Sequence, residues 1–336
     1  MAKSSNSKAA ASSSRQTVLP NPRVSPRFAG ICTFCRYPRV EDVAPENRPI
    51  DWLIYGVPFD TGVTYRPGAR FGPRAIRAAS QYVKRYHIEH DVDVCTALSI
   101  ADAGDAPVLP YDMKATLDGV TNWAKSQSKS AGNKTPAKLF AVGGDHSIAY
   151  ANLKATWENA GKPKGGLALL HFDSHLDTVD AVWGEKWGHA SPFRRAIEDG
   201  IVNPKNMLSV GIKGPLNTPD DLNFAKDNGV TILTYANIKR LGTKPIEKFV
   251  KSLAATPAYI TFDIDVVDPA FAPGTGTPCP GGFTSAEALE LLRTLRGVNV
   301  IGADVVEVLP DRDVSGITAF LAAHVIFEVL ALDAAR

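Results

Sequence analysis

Eight short apolar runs, separated by polar or helix-like segments, constrain this chain more than any other feature. They are WLIYGV (52–57), ALSIADA (97–103), LFAVGG (139–144), LALLHF (167–172), MLSVGI (207–212), VTILTY (230–235), YITFDI (259–264) and VIGADVVEV (300–308). Most are continuous rather than alternating, as in strands covered on both faces. GPRAIRAASQYVKRY (72–86) opens with Pro73 near a helix start, where a missing N–H costs least. TSAEALELLRTLRG (284–297) has Thr284 and Glu287 at capping-box spacing and stops at a glycine. The run 316–334, with His324 and Glu328, reads as a buried helix rather than a membrane span. Strands alternating with helices predict an α/β fold with a mostly parallel sheet flanked on both faces.

The chain has 336 residues, 44% hydrophobic, enough for a large core. No Pro/Gly/Ser-rich linker divides 29–336, so one domain is expected there. Seven basic residues and no acid precede Glu41, leaving 30 basic against 35 acidic residues beyond residue 40. That mildly acidic body gives no basic face for nucleic acid. The Ser- and Ala-rich start points to a disordered tail over 1–28. It lacks the apolar segment of a secretory signal but shares the composition of a transit peptide. A cytoplasmic location is expected, with the mitochondrion as alternative. Four cysteines make no disulfide framework, and Cys32 and Cys35, at CxxC spacing without a second pair, read as structural thiols.

In parallel sheets, ligands bind beyond the carboxyl ends of the strands. Three groups of metal-seeking residues sit there: Asp145 and His146 in LFAVGGDHS; Asp173, His175 and Asp177 in LALLHFDSHLD; Asp263, Asp265 and Asp268 in YITFDIDVVDP. Alternate residues of an extended chain share a side, so Asp173, His175 and Asp177 can converge, as can Asp263 and Asp265. Two imidazoles and four carboxylates exceed a structural zinc site and suit two divalent ions, manganese first, nickel or iron as alternatives. Taken singly, each group has a plain structural reading; Asp145, for instance, could cap a helix starting near Ser147.

These segments carry a resemblance. GVPFDTGVTYRPGARFGPRAIR (56–77), GGDHS (143–147), HFDSHLDT (171–178), FDIDVVDPAFAPGTGTP (262–278) and DVVEVLP (304–310) resemble the arginase/agmatinase ureohydrolase family, its agmatinase branch most. The resemblance implies a three-layer α/β/α domain around an eight-stranded sheet, trimeric or hexameric assembly, and hydrolysis of a guanidino group to urea and an amine. It implies that His146, Asp173, Asp177 and Asp263 hold one ion. His175, Asp173, Asp263 and Asp265 would hold the other; both ions are usually manganese. It further implies that Asp177 relays the proton of the attacking water, His189 exchanges protons with solvent, and Glu307 pairs with the guanidinium. The structural alternatives are a backbone-satisfied loop histidine for His189 and an ion pair with Arg66 or Arg70 for Glu307.

The loop TVDAVWGEKWGH (178–189) is expected to wall the substrate tail, with Trp183 and Trp187 clasping it. Glu185 favours an amine tail as in agmatine and Lys186 a carboxylate tail as in 4-guanidinobutyrate, so the loop does not choose. Agmatine is expected first, 4-guanidinobutyrate second and a small or alkylated guanidine third. The sequence departs from the family pattern at Ala190 and Ser191 after His189, where glycine is common, and at Cys279. Two rival classes are a non-catalytic family subunit and a one-zinc amide hydrolase. The filled ligand positions argue against the first, the carboxylate count against the second.

Overall fold

The computed structural model describes residues 15–132 and 134–336. The strands are β1 (Trp52–Val57), β2 (Tyr86–His87), β3 (Val92–Asp93), β4 (Ile100–Asp105) and β5 (Lys138–Gly143). They continue with β6 (Leu167–Phe172), β7 (Val202–Ile212), β8 (Thr231–Thr234), β9 (Pro257–Asp263) and β10 (Asn299–Val306). The helices are α1 (Gly72–Ser80), α2 (Val94–Ala97), α3 (Met113–Ala131), α4 (Ile148–Asn159) and α5 (Pro192–Glu198). After them come α6 (Asn223–Asp227), α7 (Tyr235–Leu241), α8 (Lys244–Leu253), α9 (Ser285–Arg293) and α10 (Ile317–Ala334).

All eight expected runs enter one sheet, in the order β4-β1-β5-β10-β9-β6-β7-β8, and every pairing is parallel. Both faces are buried, which explains the unbroken apolar runs. Trp52, Ile54, Phe140 and Leu170 face a core shared with α1, α9 and α10. Their neighbours Leu53, Tyr55, Leu139 and Leu169 face a second core shared with α3, α4 and α5. The helix α10 is long and apolar enough to cross a membrane, but most of it is buried against the sheet, as expected for a core helix. Thr284 caps α9 through the reciprocal bonds its spacing predicts.

Two expectations are corrected. The helix expected over 72–86 stops at Ser80, because the chain turns at Gln81 to form the antiparallel β2–β3 hairpin. In the expected tail, residues 1–14 lie outside the described residues, but the segment from Arg15 is attached to the body. Thr17 N donates to the Cys95 carbonyl at 2.7 Å and its hydroxyl to the Leu98 carbonyl at 2.6 Å, while Ile100 N donates to that hydroxyl at 2.9 Å. Leu19 packs against the core, and Arg15 pairs with Asp51 at 3.2 Å. Composition averaged over 28 residues hides this short anchor.

The GG of GGDHS is dictated by a crossing of backbones. A Cβ on Gly144 would lie 1.9 Å from the Phe59 carbonyl oxygen and 2.7 Å from that of Val57. Neither is a movable side chain. Gly144→Ala is expected to destabilise the protein by about 3 kcal/mol or more, read as a fall in thermal midpoint. An unchanged midpoint would show that the β1 and β5 ends separate freely.

Candidate metal and active site

The site grows from the carboxyl ends of four adjacent strands, β5, β10, β9 and β6. Their register is tight: Val142 pairs with Val305, Val306 with Asp263, and Phe172 with Phe262. His146, Glu307, Asp263 and Asp173 therefore emerge at one level.

His146 is fully buried just before α4. Its Nε2 lies 2.8 Å from Thr261 Oγ1, and that hydroxyl donates to Asp304 Oδ1 at 2.6 Å. With the hydroxyl proton directed at Asp304, Thr261 accepts from His146, so the ring proton sits on Nε2. In the neutral ring Nδ1 then keeps a lone pair. Around it lie Asp177 Oδ2 at 2.9 Å, Asp173 Oδ2 at 3.1 Å and Asp263 Oδ2 at 3.3 Å, yet Nδ1 makes no hydrogen bond. Four electron-pair donors facing one point fit a bound cation.

A second group adjoins the first. His175 Nδ1 is 3.1 Å from Asp265 Oδ2 and 3.5 Å from Asp173 Oδ1. Asp173 thus turns one oxygen to each histidine. Crowding is felt electrostatically: burial, then the charges of Asp265 and Asp173, push the Asp263 carboxyl well above the usual range. Burial and Asp173 likewise raise Asp177.

Convergence does not come from an extended chain. The strand β6 ends at Phe172, and Asp177 takes a φ of +51°, so the chain curls to bring Asp173 and Asp177 to His146 and His175 to Asp265. Asp265 sits in a 3-10 turn, Ile264–Val266, its amide held by Asp263 Oδ1 at 2.8 Å.

Glu307 lies beside this cluster, at a φ of +65°. Its Oε1 accepts from the His146 amide at 2.9 Å and lies 2.9 Å from His189 Nδ1; its Oε2 is buried and has no partner. Neither arginine named as an alternative reaches it. Arg70 bonds Asp60, and Arg66 stacks on Tyr65. His189 is buried, with Nε2 accepting from Thr64 N at 3.0 Å. Burial alone would lower its pKa, but the hydrogen bond to Glu307 and that residue's charge lift it to about 9.

Asp145 takes its structural reading. It accepts from Ser147 N at 3.0 Å and Gly62 N at 2.8 Å, pinning the 59–64 loop, and burial followed by Glu307 pushes its carboxyl up to about 7. A cleft of about 440 Å³ opens over the cluster, walled by Thr64, His175, Asp177, Trp183, His189 and the 215–221 loop. Trp183 stands 85% exposed on that wall. Trp187 does not share its position, correcting the expected clasp. It packs edge-on against Tyr150 of α4 at 5.0 Å, under the ammonium of Lys114, and so anchors the loop.

Sequence reading passed over the supports behind the site. His171 Nε2 lies 2.9 Å from Asp173 Oδ2, and Thr261 with Asp304 orients His146. Their signal was polarity: a histidine, a threonine and an aspartate inside otherwise apolar strands. Another cluster, His87, His90 and Glu328, is occupied by a guanidinium, since Arg293 binds Glu328 at 3.0 Å and Glu89 at 3.1 Å.

Residues 50–332 match the arginase family. The chain belongs to the arginase family. Among its relatives are the guanidinopropionase of Pseudomonas aeruginosa (40% identical, covering 91% of this chain and 93% of the relative) and the mitochondrial agmatinase of Gallus gallus (38%, covering 94% and 90%). The solved proclavaminate amidino hydrolase of Streptomyces clavuligerus superposes with a TM-score of 0.84 at 38% identity, covering 93% of this chain and 99% of that one. This arginase-family protein is a hydrolase of guanidino compounds.

In Glu307→Gln the His189 imidazole loses its charged partner. Its pKa is expected to fall well below about 9, with Asp177 and Asp145 left to hold the remainder, measured by NMR titration of the ring. Because the folded pKa is raised, the pair's stabilisation is complete below about 6.5 and disappears as pH rises through about 9. A Glu307→Gln ring titrating near 9 would remove Glu307 as the cause.

Proposed function

We propose that this enzyme hydrolyses an agmatine-like guanidino amine to urea and an amine at a binuclear centre. The observation that carries the reading is the unpartnered His146 Nδ1 ringed by three carboxylate oxygens, next to the unpartnered Oε2 of Glu307. His146, Asp173, Asp177 and Asp263 would hold one ion; His175, Asp173, Asp263 and Asp265 the other. Imidazole and carboxylate donors in this number suit manganese, with nickel the alternative. When bound, such a pair supplies Lewis acidity and lowers the pKa of water towards neutrality, which a resonance-stabilised guanidinium carbon requires of its attacker.

The protein's own residues do the rest. Glu307 Oε2 accepts the guanidinium N–H groups, an ion pair that compensates a buried carboxylate. Asp177, between His146 and the cleft, takes the proton of the attacking water and delivers it to the departing nitrogen. His189, on the cleft wall, exchanges protons with solvent.

For the tail, neither Glu185 nor Lys186 lines the cleft. Its wall offers the Asp221 carboxylate, the Asn217 amide and the Trp183 ring, and no lysine or arginine among the described lining residues. An amine tail is favoured over a carboxylate tail. The second reading, a guanidino acid such as 4-guanidinobutyrate, draws on the guanidinopropionase likeness. Exposed Phe28, Ile31, Tyr82 and Phe320 support assembly as a trimer or hexamer, which light scattering tests. The mitochondrial agmatinase relative and the acid-free start support the mitochondrion; the cytoplasm is the other placement, and fractionation of tagged full-length protein decides.

Urea release should be measured over agmatine, 4-guanidinobutyrate, guanidine and arginine after reconstitution with manganese, nickel or zinc. Agmatine is expected to give the highest kcat/KM, and Asp173→Asn to lose both metal and activity. His189→Asn should keep the metal and lose about 100-fold or more in kcat. Activity confined to arginine would overturn the substrate order, and one zinc per chain the binuclear reading.

A further inference from the structure

The loops after β6 (173–177) and after β9 (263–266) come from different strands, and the spacing between their carboxylates decides whether ions can be shared. Two side chains outside the donor set join them. Ser174 N donates to Asp265 Oδ1 at 3.1 Å and its hydroxyl to the Asp265 carbonyl at 2.8 Å. Lys213, immediately after β7, donates through Nζ to the carbonyls of Asp265 at 3.0 Å and Val266 at 3.3 Å, and to Ser174 Oγ. Its amide donates to the Ser174 carbonyl at 3.1 Å.

An ammonium has three donors and no acceptor, and here each finds an oxygen. Lys213 does not line the cleft, so it stands behind the donors rather than before the substrate. Among the described residues no carboxylate lies within ion-pair distance of it, so its partners are loop dipoles. The approach is built into the chain. Gly211 has a φ of +102°, and a Cβ there would come 2.4 Å from Val266 Cγ2 and 3.1 Å from the Asp173 carbonyl. Only a bare backbone lets the end of β7 slide between the two loops.

We infer that Lys213 is a positioning residue of the metal centre. With Ser174 it staples the β6 loop to the β9 loop and sets the span between Asp173 and Asp265 across which His175 sits. This rests on the donor assignment proposed above. Supports of this type hold ligands at the separation an ion requires, and their loss weakens metal binding about 10- to 100-fold.

The test uses the full-length protein with Lys213→Met, Lys213→Arg and Ser174→Ala, and three readouts: manganese dissociation constant, thermal midpoint after chelation, and urea kinetics. Lys213→Met is expected to raise the dissociation constant about tenfold or more, to leave the chelated midpoint near wild type, and to regain part of its kcat at saturating manganese. Lys213→Arg, which keeps the charge and donors, restores the affinity. Ser174→Ala shifts it in the same direction and is not additive with Lys213→Met; it carries the test should Lys213→Met fail to fold. Wild-type manganese affinity in Lys213→Met, or a loss confined to the chelated midpoint, overturns the inference. Weakened manganese binding with no urea from any guanidino substrate would leave Lys213 in place and remove the reaction instead.

Discussion

Everything at this site follows from crowding negative charge at the ends of four parallel strands. The pairing register of β5, β10, β9 and β6 fixes where Asp173, Asp263 and Glu307 emerge, and the loops add Asp177 and Asp265. Asp173, Asp263, Asp265 and Glu307 are buried and Asp177 nearly so, so the arrangement needs positive charge or protons among the carboxylates. A network beneath keeps it rigid. His146 leans on Thr261, the Thr261 hydroxyl on Asp304, and Asp304 also accepts from Tyr259, whose hydroxyl receives the Asn152 amide. Asn152 in turn accepts from Tyr55, so the chain of bonds crosses from the site into the core facing α3 and α4.

Glu307 connects two tasks. One oxygen accepts from the His146 amide and lies beside His189 Nδ1, and the other is buried without a partner. In the proposed reaction that free oxygen takes the guanidinium, so substrate recognition and the placement of His146 would share a single carboxylate. Glu307 takes this place directly after β10 at a left-handed backbone angle, off the regular geometry of the strand.

Much of this was legible in the residues. The eight apolar runs became the eight strands, because a sheet buried on both faces needs no polar alternation. The strand-end rule pointed to His146, Asp173, His175, Asp177, Asp263 and Asp265, which the structure brings together, but not to His171 beside them. What sequence spacing missed is what the chain does after a strand stops. The 173–177 segment curls rather than extends, and Trp187 turns onto α4 while Trp183 stays at the cleft; nothing in the loop's composition separates those two tryptophans. Thr261, Asp304 and Lys213 were invisible as helpers because their partners lie on other strands and loops, a relation that one-dimensional spacing does not encode.

The attachment of Thr17 bears on how the chain tolerates shortening at its start. Its three hydrogen bonds occupy the carbonyls of Cys95 and Leu98 and the amide of Ile100, at the beginning of the sheet's edge strand β4. Removal of everything through residue 28 would uncover those groups at the start of β4, while Asp102 farther along keeps its bond to the Pro38 carbonyl. Shortening is expected to be tolerated only upstream of Arg15.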